Sequence, residues 1–388
     1  MILVCNAGSS SLKLGLYDDA ANETATGEID WKADPHAAEL VIERAGKTQT
    51  SRHEVRDFHA AVDVALDALV GKAERARVRA VGQRVVHGGA KLTASARIDD
   101  DVRREIERMV AVAPLHNPPA LQAIDAVAKA LPGVPQVAVF DTSFYATLAP
   151  EHYVFPVPYA WFSDWGIRRF GFHGISHGYC AIRARELLGR DDLRIISCHL
   201  GNGCSITATR GDRALATTMG FTPMDGLMMG TRGGAVDPGI LMYVQAQRGL
   251  SAKAVDDALN HESGLKGVSG VSSDYREVQS AAQGGHERAR LALEIYALRV
   301  RQAIGAMAVT LGGVDALVFT AGVGEHSASL RQSACAGLAC VGVELDAHAN
   351  ERGSGDRDVA AKTSGARILA LHTREELMIA RETKRLVT

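Results

Sequence analysis

Two apolar runs in this chain end in the same kind of turn. Residues 2–5 (Ile-Leu-Val-Cys) lead into Asn6-Ala7-Gly8-Ser9-Ser10-Ser11, and residues 195–198 (Ile-Ile-Ser-Cys) lead into His199-Leu200-Gly201-Asn202-Gly203-Cys204-Ser205. Each is followed by a returning apolar segment, over 12–17 and 206–209. Apolar strand, small-residue turn and returning strand predict a β-hairpin, written twice about half the chain apart. Between the hairpins, apolar residues at helical spacing predict helices over 60–70, 99–113, 120–131 and 176–188. The pair Pro118-Pro119 suits the opening turn of the third. Short unbroken apolar runs predict buried strands over 78–86, 135–140 and 316–320. Further helices are predicted over 238–248, 288–311 and 375–387, and exposed loops over 46–51 and 351–358. Alternating β and α segments call for an α/β architecture with helices laid over sheets.

The repeat gives the turns a chemical reading. A lone turn rich in Gly, Ser and Asn is usually conformational. Two matched ones, each leaving an apolar strand, point to two similar lobes aiming backbone N–H groups at one anion. The chain is 388 residues long, which suits two domains. Its net charge of −2 argues against a nucleic-acid binder held by phosphate neutralisation. The six cysteines are scattered and form no C-x-x-C pair, the pattern of reduced thiols in a cytoplasmic protein. No run of about 18 apolar residues is available to span a membrane.

Arginine, histidine and glycine recur near predicted strand ends. Arg84 interrupts an apolar strand before Val85-Val86-His87-Gly88-Gly89, so an anion or a structural carboxylate should face it. His116 stands in the proline-flanked turn Pro114-Leu115-His116-Asn117-Pro118. Asp141 follows a strand directly, and His173 lies between glycines in Phe170-Gly171-Phe172-His173-Gly174. Six glycines between 220 and 239 surround Arg232, which suggests a loop that moves or packs closely on a ligand. Asp237 before Pro238 reads as a helix cap, Arg168-Arg169 as a solvated pair, and His87, His177 and His261 as ordinary turn or cap residues. No G-x-x-x-x-G-K-[ST] occurs, which excludes a Walker-type site. Isolated arginines, histidines in tight turns, a strand-end aspartate and two hairpins suit phosphoryl transfer, which is mostly positioning and charge neutralisation.

These motifs resemble the acetate kinase family of the acetate and sugar kinase/heat-shock protein/actin superfamily. The resemblance runs end to end through Asn6–Lys13, Arg84–Gly89, Phe170–Gly174, His199–Gly203 and Phe319–Gly322. It implies two duplicated lobes of the actin-like ATPase (ribonuclease H-like) type with an active-site cleft between them. The expected lobes are 1–150 with 373–388, and 151–372. It further implies reversible, Mg2+-dependent transfer from ATP to acetate, giving acetyl phosphate and ADP, with Mn2+ as a substitute, in a cytoplasmic homodimer. Arg84 and Arg232 would hold the carboxylate and the transferring phosphoryl group, Asp141 would orient them, and His173 would hydrogen-bond that group near His116 and His199. Val86, Leu115, Phe172 and Pro223 match the positions that bind the acceptor's methyl group. Ser9, Ser11 and Lys13 match the first phosphate hairpin, and His199, Leu200, Gly201, Asn202 and Gly203 the second. Asp274, Tyr275, Arg276, Gly322, Val323, Gly324 and His326 match the adenosine pocket, and Asn6 and Glu375 the anchors of the Mg2+ hydration shell.

Four positions depart from the family's usual pattern. The loop commonly reads Thr-Arg-Ser-Gly-Asp-x-Asp-Pro, whereas here it is Thr231-Arg232-Gly233-Gly234-Ala235-Val236-Asp237-Pro238. His326 stands where asparagine is usual, and Tyr145 where histidine is common. Two rivals fit less well. Among enzymes of the same shape, a propionate kinase stays close, a butyrate kinase would need a roomier pocket and a sugar kinase would want a carboxylate base without flanking arginines. An actin- or chaperone-like ATP-regulated module would have no use for paired arginines.

Overall fold

The computed structural model describes residues 1–8, 11–31 and 34–388. The described residues divide into two compact units, 1–146 with 374–388, and 147–373. The first holds an eight-stranded sheet made of β1 (Ile2–Ala7), β2 (Ser11–Tyr17), β3 (Glu23–Asp30), β4 (Ala38–Arg44), β5 (Lys47–His53), β6 (Ala80–Val85), β7 (Ala96–Arg97) and β8 (Gln136–Phe140). Its order is β5-β4-β3-β2-β1-β6-β8-β7. The second holds a six-stranded sheet made of β9 (Arg194–Leu200), β10 (Cys204–Arg210), β11 (Arg213–Thr217), β12 (Ala316–Thr320), β13 (Arg357–Asp358) and β14 (Arg367–Ala370), in the order β11-β10-β9-β12-β14-β13.

The duplication is written in the pairing. β1 is antiparallel to β2 and parallel to β6, just as β9 is antiparallel to β10 and parallel to β12. In corresponding registers Cys5 faces Leu14 and Gln83, and Cys198 faces Ile206 and Phe319. Strands β3-β2-β1-β6-β8 and β11-β10-β9-β12-β14 therefore repeat one design, with the parallel strands buried as unbroken apolar runs.

Helices cover these sheets. In the first unit, Phe58–Leu69 and Asn117–Ala130 pack together, and Asn117–Ala130 lies over β1 and β6. Asp57 caps the former by accepting from Ala60 N, and prolines occupy the opening turn of the latter. The last helix, Glu375–Val387, packs on β1, β6 and β8. Gly82 makes this contact close, because a Cβ there would stand 2.3 Å from Thr383 Oγ1 and 2.6 Å from Ile379 Cγ2. Glutamates in its first turn and Lys384 and Arg385 in its last complement the helix dipole.

Two expectations need correction. Residues 47–53 are not a loop but the edge strand β5, paired along its length with β4. Its sequence, Lys-Thr-Gln-Thr-Ser-Arg-His, is almost wholly exposed, so no apolar alternation marks it, and a polar edge discourages pairing with another chain. Arg168 and Arg169 are not a solvated pair either. The Arg168 guanidinium lies 3.7 Å above the Tyr153 ring, and Arg169 Nη1 donates to the carbonyls of Thr217, Thr218 and Met219. Asp237 does cap Pro238–Arg248, accepting from Gly239 N at 2.8 Å.

Candidate active site

In the first unit, the carboxyl ends of β1, β6 and β8 bring charge together. Arg84 Nη2 donates to Asp141 Oδ2 at 2.7 Å and Arg84 Nε to Asp141 Oδ1 at 3.5 Å, a bidentate pair in which Asp141 is buried. Arg84 Nη1 donates to Asn6 Oδ1 at 3.1 Å, and Arg84 Nε lies 3.8 Å from Glu375 Oε2. Asn6 Nδ2 donates in turn to Glu376 Oε1 at 3.4 Å. Burial alone would lower the Arg84 pKa, but the carboxylates of Asp141 and Glu375 outweigh it and hold the guanidinium above its ordinary value. Burial pushes the Glu375 carboxyl upward, with Arg84 opposing and Glu376 adding to the rise.

The remaining first-unit positions divide. Val86 is half-buried, Leu115 is 45% exposed, and His116 directly precedes Asn117–Ala130. His87 and Asn117 brace the loop after β6: Asn117 Oδ1 accepts from His87 N and Asn117 Nδ2 donates to His87 O. At the first hairpin Gly8 N donates to Ser11 O at 2.8 Å, and Ser9 lies outside the described residues. Lys13 Nζ reaches Glu28 Oε1 on β3 at 3.5 Å, with both side chains half exposed.

The second unit gathers neutral donors around one arginine. Gly201 N donates to Gly203 O and closes the β9–β10 hairpin, leaving Asn202 exposed at its tip. A Cβ on Gly203 would stand 3.0 Å from Arg232 Nη2 and 3.3 Å from His173 Nε2. Arginine, imidazole and hairpin backbone thus converge, and only glycine leaves them room. His173 adopts φ 56°, ψ 26° directly before the helix Gly174–Leu188, a left-handed backbone uncommon outside glycine and concentrated at functional sites. Its ring stacks on that of His199, with centroids 4.2 Å apart, and Phe172 beside it is buried.

Arg232 has a different electrostatic setting from Arg84. Its Nη1 donates to Pro223 O at 2.8 Å, and it forms no ion pair among the described residues. Burial lowers its pKa. The glycines around it pack on the loop's own backbone: Cβ atoms at Gly234 and Gly264 would meet Leu227 O and Met229 O at 2.3 and 2.2 Å. Hydrogen bonds from Met229 N to Arg232 O and from Ser263 N to Thr231 O tie the segment down. Close packing, rather than mobility, is what these glycines provide.

At the expected adenosine positions, Asp274 caps Tyr275–Gln283 and pairs with Arg276 at 2.6 Å. Tyr275 is buried, which raises its hydroxyl pKa, and the side chains of Ser327 and Ser329, just beyond Ala321–His326, oppose that rise. Gly322 faces open space, Val323 lies in the same short helix Ala321–His326, Gly324 is buried and His326 is exposed. A groove of about 500 Å³ adjoins this region, lined by Tyr275, Gln279, Arg290, Ala297 and Ser329. Sequence reasoning passed over Glu376, Ser197 and Ser205, and read His177 as a turn or cap residue, whereas it lies buried inside the helix Gly174–Leu188. The spacing of His177, four residues after His173, was the available signal.

Comparison with known proteins places the chain in a family. The profile of the Acetokinase family matches residues 1–381. The acetate kinase of Nostoc punctiforme is 46% identical over 395 residues, covering 98% of this chain and 97% of that protein. The crystal structure of Porphyromonas gingivalis acetate kinase aligns with a TM-score of 0.91 at 38% identity, covering 100% of this chain and 99% of the other. A propionate kinase from Francisella tularensis aligns with a TM-score of 0.93 at 36% identity, covering 99% of each chain.

Proposed function

The chain belongs to the acetokinase family, and from that premise we propose that it is an acetate kinase, transferring the γ-phosphoryl group of ATP reversibly to acetate. The observation that carries the reading is the convergence of His173 Nε2 and Arg232 Nη2 on the hairpin glycine Gly203. A half-buried guanidinium without a carboxylate partner among the described residues suits an anion that arrives with the substrate.

The chain's residues supply what the chemistry lacks. Acetate is ionised at neutral pH and is already a nucleophile, so no base is required. The barrier lies in bringing two anions together. Arg84, oriented by Asp141, and Arg232 offset that repulsion, and removing such a contact costs about 3–4 kcal/mol of transition-state stabilisation. His173 donates a fixed N–H to the transferring group. Hairpin backbone at Gly201 and Gly203, with Asn202, holds phosphate oxygens, and Ser9, Ser11 and Lys13 serve the first hairpin. Asp274, Tyr275, Arg276, Gly322, Val323, Gly324 and His326 form the adenosine subsite. Val86 and Leu115 in the first unit, and Phe172 and Pro223 in the second, are apolar at the positions that match the family's methyl-binding residues, which favours a short acid.

The donor chemistry fits Mg2+. Among the described residues no three His, Cys, Asp or Glu side chains group to hold a metal unaided. Mg2+, however, takes one or two carboxylates together with water and substrate phosphate oxygens, and Asn6, Glu375 and Glu376 offer oxygen donors in one network. Bound there, the ion would neutralise developing phosphate charge, with Asn6 and Glu375 holding its hydration shell. A homodimer is supported by the helix Pro238–Arg248, which buries none of its residues and exposes Ile240, Met242 and Tyr243. A cytoplasmic setting is supported by the free thiols, five of the six buried.

The test is ADP release from Mg-ATP with acetate, propionate, butyrate or no acid, trapping acyl phosphate with hydroxylamine. Acetate-dependent release matched by trapped acyl phosphate is expected, with propionate weaker by a factor of about 10 or more, because one methylene is worth roughly 1–3 kcal/mol. Slow release indifferent to every acid would overturn the reading and indicate an ATP-regulated module.

A further inference from the structure

His177 is fully buried, and the reaction described above uses none of its atoms. It lies one helical turn beyond His173. Ser197 on β9 and Ser205 on β10 flank it: Ser197 Oγ is 2.6 Å from His177 Nδ1, and His177 Nε2 is 2.8 Å from Ser205 Oγ. Ser205 Oγ is in turn 2.8 Å from His173 Nδ1. Four side chains therefore form one continuous hydrogen-bonded chain ending on the histidine that faces Arg232.

The hydrogen count decides its direction. Burial, reinforced by His199, pushes the His177 pKa well below the ordinary histidine value, so the ring is neutral and carries one N–H. Were that hydrogen on Nδ1, it would be donated to Ser197, whose own hydroxyl hydrogen would then need another acceptor. The Ser197 side chain is 1% exposed and makes no other hydrogen bond among the described residues. With the hydrogen on Nε2, Ser197 donates to His177 Nδ1, His177 donates to Ser205, and Ser205 donates to His173 Nδ1. Every hydrogen is then used, as buried polar groups require.

We propose that Ser197, His177 and Ser205 are positioning residues that fix His173 as the neutral tautomer with its hydrogen on Nε2. An imidazole's free nitrogen is set by the bond its other nitrogen makes. Here Nδ1 is an acceptor, so Nε2, the atom nearest Gly203 and Arg232 Nη2, is a committed donor. The neighbouring Arg232 cation and the helix N-terminus both disfavour a second proton on the ring. The inference rests on the proposed role of His173 at the phosphoryl group, and it assigns that role's orientation to residues that touch no substrate.

The test reads the ring directly. In the full-length protein labelled with 15N-histidine, with His173 assigned by comparison with His173→Gln, Nδ1 is expected to resonate as an unprotonated acceptor and Nε2 as a protonated nitrogen. Ser205→Ala should turn this into a mixture of tautomers and lower kcat by about 10- to 100-fold, leaving KM for ATP and acetate within about 3-fold. Ser205→Thr, which keeps the hydroxyl, should recover most of the loss, and Ser197→Ala should shift the tautomer balance in the same direction. A wild-type His173 protonated on Nδ1, or on both nitrogens, would overturn the proposal, as would an unchanged kcat in Ser205→Ala. Because the tautomer is read without turnover, a wrong acceptor in the kinase reading would leave this result standing.

Discussion

Corresponding strands of the two sheets end in different chemistry. In the first unit β1, β6 and β8 lead to Asn6, Arg84 and Asp141, linked by charge-assisted hydrogen bonds. In the second, β9 ends in His199 and Leu200, and β12 in Thr320, whose hydroxyl donates to Leu371 O at 2.7 Å. The second unit's arginine comes from a glycine-packed loop instead, and it has no carboxylate partner among the described residues. One scaffold has thus been used twice, once to hold a cation with fixed counter-charge and once to present a cation without it. A paired guanidinium is rigid and costly to remove. Removing an unpaired one strands no counter-charge, and it is better suited to meet a charge that comes and goes.

The largest effect should follow from Arg84→Ala. It removes a catalytic charge and also leaves the Asp141 carboxylate without its guanidinium. Acyl phosphate formation should fall by about 1,000-fold or more, and thermal or urea unfolding should show a stability loss of about 3–5 kcal/mol. Lysine should restore little, since it cannot make the bidentate pair.

Arg232→Ala separates the two quantities. Turnover should drop about 100- to 1,000-fold, while unfolding should stay within about 1 kcal/mol of wild type, because no ion pair among the described residues is broken. Equal destabilisation by both arginine variants would break the contrast. Thr320→Val is the smallest change and should invert the pattern. Losing the bond to Leu371 O should cost about 1 kcal/mol of stability, with kcat within about 3-fold of wild type by steady-state assay.

How much of this was legible in the sequence depended on locality. Both hairpins and the strands carrying Arg84 and Asp141 could be read because small-residue turns and unbroken apolar runs are short-range signals. The strand Lys47–His53 could not, since an exposed polar edge has no apolar period and is defined only by its partner β4. The buried settings of Arg168 and Arg169 depend on Tyr153 and on carbonyls about fifty residues away. The role assigned to His177 is hidden for the same reason. Its spacing from His173 was visible, but Ser197 and Ser205 meet it only through the β9–β10 pairing. The apolar strand around Arg84 called for an anion or carboxylate to face it, but no local pattern tells that Arg232 has no carboxylate partner among the described residues.

The central claim is that both arginines serve transfer of the phosphoryl group rather than capture of the nucleotide. The most direct measurement is single-turnover acetyl phosphate formation by Arg84→Ala and Arg232→Ala at saturating Mg-ATP and acetate, beside the Kd of each for ATP. The account predicts a rate at least about 100-fold below wild type in both variants, with Kd for ATP within about 3-fold. Wild-type rates in either variant, or a loss explained wholly by weaker ATP binding, would contradict it.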